Sequence, residues 1–315
     1  MNERTQIIIK LIMSHVILII VLISITVFNS KDEFLLLSIT QTVLLILFFT
    51  GYWEFFGLRF KTIFCSFLEI VLLTICIWNI LSGFRNPVYD YLFILLAVIQ
   101  LYLVVVLSKI VLVIFKNENE SVEIEFPFRN GSFLVTDGGN SRISRLMNYH
   151  YYSKVHKKKK TNNSMLFATD IVKIKNEKMK FLPECNTDYP IFTEKVYSPI
   201  EGIVIKVENN ISDNKTFAGN YPYNTGNTVV IQNGNLFMLM GHLKQGSIIV
   251  KEGDSVNKND LIALVGNSGW TERPHLHMQL IKSDSSNYWF GKGVSIRYQK
   301  INLYKNRLID IRNNP

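Results

Sequence analysis

Only three cysteines occur in the 315 residues, and that scarcity removes two chemistries at once. Cys65 and Cys76 fall inside one apolar stretch and Cys185 stands alone in the polar remainder, so neither a disulfide framework nor a cysteine-based zinc site can be assembled. Histidine is also scarce: His15, His150, His156, His242, His275 and His277 are the whole supply. No repeat of about 20 to 50 residues is found, which argues against a solenoid or propeller. No nucleic-acid-binding motif accompanies the formal net charge of +9, so nucleic acid is not expected as a partner. Part of that charge is the run Lys157–Lys160, read as a solvated loop, with attraction to anionic polymers or lipid headgroups as the alternative.

Apolar residues are in excess, at 48% of the chain with a positive mean hydropathy, too apolar for an ordinary soluble two-domain protein. The excess is concentrated in residues 6–28, 34–53, 62–82 and 88–108, each near the length of about 20 residues that crosses a bilayer core as a helix. The expectation is therefore a four-helix transmembrane region over residues 1–116, making the chain a multi-pass membrane protein. The first stretch follows a short tail bearing Arg4, but its apolar run is too long for a signal peptide and no small-residue cleavage pattern follows it. His15 and Glu69 lie inside expected spans and read as groups facing another helix or the interface, with a functional role as the alternative.

After Phe115 the composition turns polar and acidic, "KNENESVEIEFPFRNGS", and no further membrane-length apolar run follows. Residues 121–315 read as one soluble domain, large enough to bury its own core. Its short Val/Ile-rich segments, separated by Gly, Asn and Asp, predict a mainly antiparallel β fold.

Three of the five histidines outside the apolar stretches fall in these β segments. In "RPHLHMQL", residues 273–280, His275 and His277 are two apart, a spacing that puts both side chains on one face of a half-buried strand. Two imidazoles on one side suit a zinc ion, but a catalytic zinc site takes about three protein ligands from His, Asp or Glu and keeps an open position.

The run "GHLKQGSIIVKEGDSVNKNDLIALVGNSGWTERPHLHMQL", residues 241–280, resembles the lysostaphin-like, or LytM-type, zinc metalloendopeptidases that cut peptidoglycan. The ordered series is an "HL" strand, a "V..GD.V" turn, a "VGNSG" loop and "PHLH". The likeness extends back through "VYSPIEGIVIKV" and "GNTVVIQNG" and forward to "GVSIRY", so that it covers most of residues 140–300. It implies the lysostaphin-like, duplicated-hybrid-motif fold, one zinc ion per domain, and the peptide stems or cross-bridges of peptidoglycan as substrate. It further implies that His277 binds the metal, that His275 is the catalytic base, and that His242 stabilises the oxyanion or orients the water.

The family's usual His-x-x-x-Asp is absent. In its place "NYHYYSKVHKKKKTNNSMLFATDIVKI" looks like a variant branch, in which "NYH" supplies His150 and "FATDIVKI" supplies Asp170. Asp188, eleven residues before Pro199, is the rival carboxylate, and His156 is the rival imidazole. His150 is preferred because the lysine run beside His156 repels a cation.

Two other readings stand beside the peptidase. One is a catalytically silent family member that regulates or scaffolds cell-wall remodelling. The other is a phosphocarrier-type β domain with facing histidines and no metal. The basic residues flanking the expected spans favour cytoplasmic termini, whereas a wall hydrolase faces outward. The motif is the more specific signal, so an extracytoplasmic domain is expected.

Overall fold

The computed structural model describes residues 31–51, 90–115, 121–139, 146–152, 162–174, 183–217, 224–285 and 287–311, with isolated positions between 53 and 74. It divides into two compact units, Met1–Gly51 with Leu58–Val111, and Tyr52–Gly57 with Leu112–Pro315. The first holds helix α1, Lys31–Thr50, and most of α2, Asp90–Phe115. Polar side chains join the two: Gln100 Nε2 donates to Ser38 Oγ at 2.8 Å and to Thr42 Oγ1 at 3.1 Å. Thr42 in turn donates to the Ser38 carbonyl at 2.7 Å, so this polar strip is satisfied within apolar surroundings.

The expected four-helix transmembrane region is overturned. Among the described residues there are two helices, and one of them, over Ile94–Leu112, is long and apolar enough to cross a membrane. The apolar part of α1, Leu35–Thr50, falls short of the roughly 20 residues required, because the helix opens on Lys31, Asp32 and Glu33 and ends before Gly51. Hydropathy windows register composition and not helix ends, which is why residues 34–53 read as a span. The last expected span, 88–108, is also displaced, since α2 continues to Phe115. The expected spans at 6–28 and 62–82, with His15, Cys65, Glu69 and Cys76, lie outside the described residues apart from single helical positions in the second. A multi-pass anchor does not follow from one such helix.

The second unit is built of strands. In chain order they are β1 Val122–Glu123, β2 Gly131–Asp137, β3 Thr169–Ile174, β4 Lys195–Tyr197, β5 Gly202–Glu208, β6 Asn227–Asn233 and β7 Leu236–Leu243. There follow β8 Ser255–Val256, β9 Leu261–Leu264, β10 Leu276–Lys282, β11 Lys292–Val294, β12 Ile296–Tyr298, β13 Ile301–Asn302 and β14 Leu308–Ile311. Among the described residues the principal sheet has nine strands, ordered β14-β2-β3-β10-β7-β6-β5-β8, with β11 also paired to β10. Its ladders are antiparallel, and the one parallel pair among the described strands joins β1 to β12 in a small separate sheet.

Two consequences of this topology position the site. Strand β10 is central: β7 flanks one edge, while β3 and then β11 share the other. It is buried along its whole length except Lys282, not half-buried as its sequence alternation implies, because neighbouring chain covers both faces. The second consequence is a register break in β2 between Val135 and Asp137, which sets Asp137 opposite Asp170 of β3. Phe128 and Phe133 stack with centroids 4.4 Å apart in the core beneath, and the burial of each stabilises the sheet by about 2 kcal/mol.

Candidate metal centre

The antiparallel register of β3 and β10 places Asp170 directly opposite His277. Side chains at paired positions stand on the same face, and here Asp170 Oδ1 lies 2.9 Å from His277 Nδ1. The third member arrives from the short 3-10 turn Tyr149–Tyr152, which aims His150 Nε2 at Asp170 Oδ2, 3.5 Å away. Asn148 fixes that turn: its Oδ1 accepts the His150 backbone N–H at 2.9 Å while its Nδ2 donates to the Gly139 carbonyl at 2.6 Å. One ligand atom from each of His150, Asp170 and His277 lies within 4.8 Å of the others, and all three side chains are nearly or fully buried.

His275 and His242 complete the cluster without joining this triplet. His275 immediately precedes β10, with Nε2 3.6 Å from Asp170 Oδ2. Its Nδ1 is 2.9 Å from the Arg273 carbonyl, which can only accept, so the ring proton sits on Nδ1 and the lone pair on Nε2 faces the site. His242, near the end of β7, donates from Nδ1 to the Ser268 carbonyl at 2.8 Å. The His242 and His275 rings are 4.7 Å apart by their centroids. His242 adopts φ 58°, an uncommon conformation for a residue with a Cβ, and backbone bonds hold it there. Its N–H donates to the Thr225 carbonyl at 2.7 Å, and its own carbonyl accepts from the Gly266 N–H at 3.0 Å.

Burial and mutual charge set the protonation of the group. Burial alone would raise Asp170, but its interactions with the His150 and His275 imidazoles and the hydrogen bond from His277 outweigh it and hold the carboxyl well below the usual range. For His277 the carboxylate wins over burial and the pKa is raised. Burial dominates the remaining imidazoles: His150 is lowered, His275 is pushed down to about 4, and His242 falls well below the ordinary histidine value. These three rings are therefore held neutral, the form in which nitrogen donates to a metal or takes up a proton.

All five expected site residues, His150, Asp170, His242, His275 and His277, thus come together. The rival Asp188 does not join them; its Oδ2 accepts the N–H groups of Glu184 and Cys185 and caps the 3-10 turn Asn186–Asp188. The rival His156 and the run Lys157–Lys160 lie outside the described residues. Other contributors escaped the sequence reading. Asp137 accepts the Tyr149 N–H at 3.1 Å and lies 3.8 Å from Nζ of the buried Lys305. Gln279 Oε1 is 3.1 Å from His277 Nε2. Gln279 carried a signal, being a polar residue two positions from His277 on an otherwise apolar strand; Asp137 carried none, because its place depends on the register break.

Residues 187–288 match peptidase family M23, and the chain carries a domain of that family. Over 101 residues it is 39% identical to the peptidoglycan DD-endopeptidase ShyA of Vibrio cholerae serotype O1, a segment that makes up 31% of this chain and 20% of that protein. Over 66 residues it is 42% identical to endolysin 2638A of Staphylococcus phage 2638A, covering 20% of this chain and 14% of the endolysin. The matched segments span a fifth or less of the length of these relatives. A solved zinc-containing peptidase from Vibrio cholerae shares 23% identity, with 60% of this chain and 41% of that chain covered and a TM-score of 0.28. The family match begins after Asp170, so His242, His275 and His277 fall within it while His150 and Asp170 join the site through the fold.

Proposed function

We propose that the chain is a zinc endopeptidase that hydrolyses peptide cross-links of peptidoglycan, with its β domain on the extracytoplasmic side. The observation that carries this reading is the convergence of His150, Asp170 and His277 from three elements onto one buried point. Their chemistry fits zinc: two imidazole nitrogens and one carboxylate oxygen, with a fourth position left for substrate or water. Ligand atoms around a tetrahedral zinc ion are about 3.3 Å apart, given bonds of about 2.0 Å. Here one ligand atom from each residue lies within 4.8 Å of the other two, with His277 Nδ1 2.9 Å from Asp170 Oδ1 and His150 Nε2 3.5 Å from the other carboxylate oxygen, Oδ2.

When bound, zinc supplies Lewis acidity that polarises a carbonyl and lowers the pKa of water to about 7. His275 has the form of a general base, with its proton fixed on Nδ1 by the Arg273 carbonyl and the Nε2 lone pair facing the site. It takes the proton of the attacking water at Nε2 and returns it to the leaving amine. His242 donates its Nδ1–H to the Ser268 carbonyl, so its neutral ring offers Nε2 as an acceptor. Of the two roles open to it, orienting the water suits this tautomer better than donating to an oxyanion.

The test is incubation of the full chain, in detergent, with isolated peptidoglycan, followed by mass spectrometry of the soluble fragments. New peptide amino termini that disappear with a chelator and return with zinc are expected. Fragments that persist unchanged under the chelator, or an absence of cleavage by zinc-loaded chain, would overturn the reading.

A further inference from the structure

We propose that Gln279 is a positioning residue for the metal, its Oε1 keeping the ring proton of His277 on Nε2 and so reserving Nδ1, the nitrogen beside Asp170, for the cation. The inference rests on the zinc reading of the site above. A neutral imidazole has one proton and one lone pair, and which nitrogen binds a metal is set by the hydrogen bond the other makes. His277 Nδ1 lies 2.9 Å from Asp170 Oδ1, while Nε2 lies 3.1 Å from Gln279 Oε1. An amide oxygen only accepts, so this contact holds a proton on Nε2, and the Nδ1 proton that faces Asp170 in the metal-free chain is the one a cation would displace. The geometry follows from the strand, because positions 277 and 279 of β10 point to the same side.

A second observation separates this role from packing. Gln279 is fully buried, and its Nε2 has no hydrogen-bond partner among the described residues. A buried amide N–H₂ without an acceptor is destabilising, and methionine would fill the same space without that penalty. What glutamine contributes here and methionine does not is the acceptor oxygen.

The test compares full-length wild type, Gln279→Met, Gln279→Glu and His277→Ala by zinc titration against a competing chelator. Nitrogen-15 spectra of the His277 ring in the zinc-loaded chain report which nitrogen carries the proton. Gln279→Met is expected to bind zinc about 10- to 100-fold more weakly and to lose the pure Nε2–H signature, with its thermal unfolding temperature unchanged or raised. Gln279→Glu, which keeps an acceptor, is expected to restore both affinity and signature. Gln279→Met binding as wild type while His277→Ala fails to bind would overturn the role of Gln279 and leave the site standing, as would equal loss in the Met and Glu variants. Wild type that binds no zinc would instead overturn the site itself.

Discussion

His277 and Asp170 are 107 residues apart in the chain, yet they face each other across the β3–β10 ladder with Nδ1 2.9 Å from Oδ1. Their meeting is a product of strand register. A slip of one residue in either strand would send one of the two side chains to the opposite face and dismantle the pair.

Asp170 is thereby the centre of the cluster, with His150, His275 and His277 all directed at its carboxylate. Asp170→Asn keeps the shape and removes the charge, and loss of stoichiometric zinc is expected by elemental analysis. Asp188→Ala, by contrast, should retain zinc while costing about 1 kcal/mol of stability for the lost cap, read from the urea midpoint.

Asp137 supports the site from behind. Its carboxylate accepts the Tyr149 N–H on the turn that carries His150 and lies beside the buried Lys305 ammonium. Removing one partner of a buried charge pair costs about 3 kcal/mol or more, so Asp137→Ala should lower the urea midpoint accordingly and weaken zinc binding. Asp137→Asn keeps an acceptor for Tyr149, and it should recover the zinc affinity but only part of the stability.

The loop behind His242 has little room. Gly226 sits at φ +67°, and a Cβ there would run into the Ser268 carbonyl that holds the His242 ring. Gly226→Ala should therefore displace Ser268 and release His242. A fall in kcat of about 100-fold, as misplacement of a reacting group by about 1 Å can produce, is expected with zinc content unchanged. Steady-state kinetics alongside metal analysis would check it.

Acid should weaken the metal-free chain through His275. Its folded pKa of about 4 is below the ordinary value of 6.5, so between these limits the unfolded chain binds a proton that the folded chain excludes. The stabilising contribution is complete above 6.5 and is lost as pH falls towards 4. His277 has the opposite sign, since its pKa is raised, and its contribution is lost as pH rises. Comparing urea midpoints of chelator-treated wild type and His275→Gln across that window isolates the first effect. Wild type should lose stability relative to the variant as pH falls.

The legible part of the site was the one written locally. The "PHLH" spacing and the ordered loops before it put His275 and His277 in the sequence reading, and "FATDIVKI" singled out Asp170 before the ladder that pairs it with His277 was known. Long-range geometry was not legible. Lys305 reaches Asp137 from far down the chain, and the register break that sets Asp137 opposite Asp170 has no sequence mark. The four-span reading failed for a different reason: Leu35–Thr50 has the composition of a membrane helix but not the length, and its Ser38 and Thr42 pair with Gln100.

Metal content is the most direct measurement. Zinc per chain should be determined by elemental mass spectrometry on the full-length protein and on His277→Ala. About one zinc per wild-type chain, the minimum for a catalytic site of this type, and close to none in the variant is the expected result. Zinc absent from wild type, or equal in both, would contradict the assignment of His150, Asp170 and His277 as its ligands.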